Sequence, residues 1–87
     1  MTILIDAPRW SRRHDGMRFA HLVSDTSHDE LHAFVAALPL PRPLRFHDDH
    51  YDLPAAFHDV AIGNGAVEVS THELVRRLRA AGLRHQR

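Results

Sequence analysis

The sequence predicts a small α/β domain: a mostly parallel, four-stranded sheet with three helices, in the order β-β-α-β-α-β-α. Three observations carry that prediction. Short β-branched runs alternate with segments of helical period. Two capping boxes, Ser27 with Glu30 and Ser70 with Glu73, mark helix starts. A chain of 87 residues has room for one domain, residues 1–87, around one modest core.

Residues 2–5 (TILI) read as the first strand, stopped by Asp6 and Pro8. After an irregular segment containing Trp10 and Gly16, residues 18–23 (RFAHLV) read as the second. Leu31, Phe34, Val35 and Leu38 recur at i, i+3, i+4 and i+7, which predicts a helix ending before Pro39, Pro41 and Pro43. Residues 44–47 supply the third strand. Pro54 suits the first turn of a second helix with Phe57, Val60 and Ala61 inward, stopped by Gly63 and Gly65. Residues 66–69 form the fourth strand, and Leu74, Val75, Leu78 and Ala81 line the third helix before Gly82. Helical crossovers between strands predict that strands two, three and four run parallel.

Composition bounds the chemistry. With 44% hydrophobic residues, 25% charged residues and zero formal net charge, the chain is of globular rather than disordered type. No apolar run approaches the roughly 18 residues of a membrane span. The start MTILIDAPRW lacks the basic end and long apolar core of a secretory signal, so a cytoplasmic location without membrane contact is expected. Cysteine is absent, which excludes a disulfide framework and leaves imidazole, carboxylate and water as metal ligands. All eleven basic residues are arginine, which excludes lysine Schiff-base chemistry and offers bidentate partners for phosphate or carboxylate. Residues 25–59 are acidic and the two flanks basic.

The chemical centre of interest is FHDDHYD, residues 46–52, which the predicted topology places beyond the carboxyl end of strand three. SDTS at residues 24–27 and Ser70-Thr71 follow strands two and four at the same edge. His47 and His50 can share one metal ion if Asp48 and Asp49 form a turn, with His21 or Asp25 and then Asp52 completing the ligands. The plainer reading makes Asp48 and Asp49 turn formers, Asp52 a helix cap and the histidines polar surface. Nine histidines in so short a chain make accidental clusters common. Imidazole beside carboxylate also suits acid-base chemistry, which makes His50 and Asp52 the candidate catalytic pair. Trp10, set among Arg9, Arg12 and Arg13, can stack on a base while the arginines hold phosphates. Trp10, Arg12, Arg13 and Tyr51 are the candidate substrate contacts. Nucleic acid or a phosphorylated ligand is the expected partner class, an acidic partner for residues 76–87 is a further one, and homo-oligomerisation stays open.

HLVSDTSHDELHAF, then FHDDHYD, with GAVEVS before the last helix, resembles a small bacterial and phage family, domain of unknown function 4031 (DUF4031). The likeness covers nearly the whole chain. Its pattern falls on Asp6, His21, Asp25, Thr26, Glu30, Leu31, His32, His50, Tyr51, Asp52, Gly65 and Ala66. The resemblance implies no activity, since the family is named for lacking one, but it puts weight on a site of Asp6, His21, Asp25, His50 and Asp52. Such a set suits zinc, manganese or magnesium. The expected function is a metal-assisted hydrolase or nuclease-like phosphodiesterase, the alternative a non-catalytic binding module for nucleic acid or protein.

Overall fold

The computed structural model describes residues 1–10 and 16–84. Strands β1 (Ile3–Ile5) and β2 (Arg9–Trp10) both pair antiparallel with the long strand β3 (Arg18–Ser24), Leu4 facing Val23 and Arg9 facing Phe19. Strands β4 (Phe46–His47) and β5 (His50–Pro54) form a hairpin, and β5 pairs antiparallel with the other edge of β3, His21 facing Asp52. The last strand, β6 (Val67–Glu68), runs parallel to β1. The sheet therefore reads β4-β5-β3-β1-β6, with β2 also on β3.

This corrects the predicted four-stranded, mostly parallel sheet: among the described residues six strands form it, and only β1 and β6 pair in parallel. The difference has a local cause. Residues 48–52 are not a loop; Asp48 and Asp49 make a two-residue turn, and the chain returns at once as β5. Asp48 adopts φ 54°, the left-handed conformation that short hairpin turns require and that aspartate tolerates. The expected third strand survives as β4, pointing the same way as β3, but β5 lies between them. A two-residue reversal can join only antiparallel strands, so the sheet changes class there.

The first and third helices begin where the signals predict, whereas the second starts at His58 and not at Pro54. Ser27 caps α1 (His28–Ala36) by accepting from the Glu30 backbone N–H, and Ser70 caps α3 (Thr71–Ala80) by accepting from that of Glu73. In α1 the reciprocal half of the capping box is diverted, because the Glu30 carboxylate accepts from Ser24 Oγ instead. Pro54 ends β5, and a 3₁₀ turn (Ala55–Phe57) leads into the short α2 (His58–Gly63). No helix among the described residues is long and apolar enough to cross a membrane.

Alternation along the strands divides the side chains between two faces. One face carries Ile3, Ile5, Ala20, Leu22, Tyr51 and Leu53, packed with Leu31 of α1 and Ala61 of α2. The other carries Leu4 and Val23, covered by Leu74 and Leu78 of α3. Each fully buried Leu or Val contributes roughly 1.5–3 kcal/mol relative to exposure, so the smaller cluster is enough to seat α3. Beyond that patch the second face turns polar.

Candidate metal centre

Asp6 directly follows β1, and its position opposite His21 extends the β1–β3 ladder: the Asp6 N–H donates to the His21 carbonyl at 3.3 Å. His21 faces Asp52 across β3 and β5. His50 precedes Asp52 by two residues and so shares its face. Four residues from three adjacent strands thus form one polar surface beside the α3 patch.

The Asp6 carboxylate is fully buried and well supplied with donors. It accepts from the His21 backbone N–H at 2.6 Å, from the His21 ring at Nδ1 at 2.8 Å and from Thr71 Oγ1, at the start of α3, at 2.6 Å. Burial pushes this carboxyl up, but the donors outweigh it and hold the group below the ordinary carboxylate range. The same bond raises His21, against the opposing effect of its own burial. A carboxylate facing Nδ1 assigns the proton there and leaves Nε2 of His21 as the outward atom.

His50 repeats the arrangement. Its Nδ1 lies 2.7 Å from Asp49 Oδ1, and Asp49 is gripped by Arg84, whose Nε donates to Oδ2 at 2.7 Å. Burial raises the Asp49 carboxyl, and the bonds from Arg84 and His50 bring it below its usual range. Nε2 of His50 is then left facing Asp52 Oδ1 at 3.2 Å.

His21, His50 and Asp52 each offer a ligand atom, and the three atoms lie within 4.8 Å of one another. Two atoms that each sit about 2.1 Å from a shared cation are separated by about 3.0–3.4 Å for octahedral to tetrahedral angles. The His50–Asp52 distance falls inside that interval. Two imidazoles and one carboxylate, with both Nδ1 atoms turned toward carboxylates, form the donor set that zinc, manganese and iron take in sites with open positions. The residue types suit such an ion, and His21 is the ligand that stands farther out, with no nitrogen within 4.0 Å of an Asp52 oxygen.

A family model described as "Protein of unknown function (DUF4031)" matches residues 3–81. The chain belongs to the DUF4031 family. That agrees with the motif resemblance and assigns no chemistry. No curated protein and no solved structure matches this DUF4031 chain significantly.

Of the residues expected at a site, the fold of this DUF4031 domain brings together Asp6, His21, His50 and Asp52. His47 stands next to them, its Nε2 3.6 Å from Asp52 Oδ2, outside the three-ligand group. Asp25 lies elsewhere, accepting from the Thr2 backbone N–H at 2.9 Å and lining a depression with Arg76 and Arg77. Tyr51 points to the opposite face, where its hydroxyl meets His32 Nδ1 at 2.8 Å. Trp10 is 72% exposed and lines a cavity with His21 and Asp52. Arg12 and Arg13 lie outside the described residues. Thr71 reaches the site, whereas Ser24 is buried and donates to Glu30.

Three contributors escaped the sequence reading. Asp49 reads as a turn former, and its place beside His50 was the available signal. Arg84 comes from 35 residues away, and no local pattern announces the pair. His58 reads as one more polar histidine, yet its Nε2 meets the Asp6 carbonyl at 3.1 Å and Glu68 Oε1 at 3.4 Å. Two acceptors around one ring nitrogen identify that nitrogen as an N–H donor.

Proposed function

We propose that this protein is a metal-assisted hydrolase of phosphodiesters, with a divalent cation held by His21 Nε2, His50 Nε2 and Asp52. The observation that supports this most is the matched support of the two imidazoles: Asp6 and Asp49 occupy their Nδ1 atoms and leave the Nε2 atoms as the outward ligand atoms, that of His50 3.2 Å from Asp52 Oδ1. Two imidazoles favour zinc or manganese over magnesium, which prefers oxygen and retains its water. Bound there, the cation supplies Lewis acidity to a phosphoryl oxygen and lowers the pKa of water.

The chain's own residues then position and move protons. Asp52 has its two oxygens toward different rings, Oδ1 to His50 and Oδ2 to His47. In hydrolysis the water oxygen bonds to phosphorus and the ester P–O bond breaks. One water proton passes through Asp52 and His47 to the departing alkoxide, giving a phosphomonoester and an alcohol. Asp6 and Asp49 keep the imidazoles turned the right way throughout.

The test is turnover of bis(p-nitrophenyl) phosphate with manganese or zinc added. Asp52→Asn should lower kcat about 100-fold or more while circular dichroism stays unchanged. Metal-independent turnover, or turnover that survives the substitution, would sink the proposal.

A further inference from the structure

Two cavities meet at Asp52. One, about 150 Å³, is lined by Arg9, Trp10, Phe19, His21 and Asp52. The other, about 360 Å³, shares Phe19 and Asp52 and adds Arg42, Arg45 and His47. The candidate reacting centre therefore sits at the junction of a groove with cationic side chains in both arms.

Those cations differ from Arg76, Arg77 and Arg84. Arg76 and Arg77 pair with Glu73, and Arg84 with Asp49. Arg9, Arg42 and Arg45 are exposed and have no carboxylate partner among the described residues. Their charge is available to a ligand. Trp10, the sole tryptophan, is 72% exposed and lines the smaller cavity with Arg9.

We infer that the substrate is single-stranded nucleic acid, drawn across Asp52 with phosphates held by Arg9 on one side and by Arg42 and Arg45 on the other. This rests on the reading of Asp52 as the reacting centre. Guanidinium groups on both sides of that centre hold phosphates flanking the scissile one, which selects a chain over a mononucleotide. The exposed indole supplies a stacking surface, and only an unpaired base presents its face to it. A duplex keeps its bases stacked on each other and leaves the indole unused.

The experiment measures binding and cleavage separately. Trp10 fluorescence, read in EDTA with eight-nucleotide DNA and RNA strands, should be quenched on binding. The triple variant Arg9→Gln, Arg42→Gln, Arg45→Gln should flatten the slope of log K against log salt by about 2, since each released phosphate contact contributes about 0.7 on single strands. Trp10→Ala, followed by anisotropy of a labelled strand, should weaken binding about tenfold. A duplex of the same sequence should bind at least about tenfold more weakly than the strand. Equal binding by the triple variant, or duplex bound as tightly as strand, overturns the inference. With manganese present, the triple variant should raise KM for the strand far more than KM for bis(p-nitrophenyl) phosphate, which has no flanking phosphates. Strand binding as expected with no hydrolysis of either compound upholds the groove and removes the hydrolase reading. Hydrolysis of the small diester without strand binding does the reverse.

Discussion

The two faces of the sheet are built from the same strands and do opposite things. On the first, Ile5, Leu22, Tyr51 and Leu53 lie beneath α1 and α2 in a continuous apolar layer. On the second, Leu4 and Val23 lie beneath α3, and the next positions along the strands are Asp6, His21, His50 and Asp52. Residues adjacent in sequence, such as Tyr51 and Asp52, therefore serve different layers. Strand register is what keeps them apart: a slip of one residue in β5 would bury His50 and Asp52 and expose Tyr51 and Leu53. The apolar face makes the polar one affordable, because it fixes the register that aligns the candidate ligands.

The comparison breaks most visibly in the first layer. Leu22→Ala removes a fully buried side chain between the sheet and α1. It should lower unfolding free energy by about 2–5 kcal/mol in urea titrations. A loss below about 1 kcal/mol would mean that this face does not anchor the sheet.

Asp6→Asn probes the second face at its most buried polar group. The side chain keeps its size but loses charge-assisted bonds to His21 and Thr71. We expect a stability loss of about 1.5–3 kcal/mol, and zinc affinity reduced about 10- to 100-fold by calorimetric titration. Unchanged zinc affinity would separate Asp6 from the site. Arg84→Ala should act in the same direction and less strongly, costing up to about 1 kcal/mol, because this pair is partly exposed to solvent. Zinc should also raise the melting temperature of the wild type, and His50→Ala should abolish that rise. An equal rise in both would assign the binding to other histidines.

The smallest expected effect is on the pH dependence of the metal-free protein. Asp6 and Asp49 are held below their ordinary values, so their contribution is present above the unfolded carboxylate pKa and is lost as pH falls through the lowered folded values. His21 is raised, so its contribution is full below the unfolded imidazole pKa and fades as pH rises through the raised folded value. Denaturation midpoints measured from pH 3 to 9 should therefore peak between about 4 and 6.5. In His21→Gln the decline on the alkaline side should shrink, and an unchanged alkaline limb would remove His21 as its source.

Much of this protein was legible in the amino-acid sequence, because the relevant signals are local. Ser27 and Ser70 announce their helices through side-chain caps within three residues, and Leu31, Leu74 and Leu78 reveal the buried stripes by period. The TILI and RFAHLV runs are strands in the structure, Gly82 closes α3 at φ 72°, and the motif identified the family. The gathering of histidine and aspartate in FHDDHYD marked the segment that supplies His50 and Asp52 to the three-residue cluster. Tertiary structure decided the rest. Whether Asp48 and Asp49 end a strand or turn a hairpin depends on the partner that β5 finds in β3, and that pairing spans thirty residues of chain. The same pairing brings His21 to Asp52, sends Tyr51 to the other face and leaves Asp25 with Thr2. Arg84 finds Asp49 only because α3 packs on Leu4 and Val23. Composition and period describe what each segment prefers; direction of pairing and long-range contact are fixed only when the segments compete for the same edge.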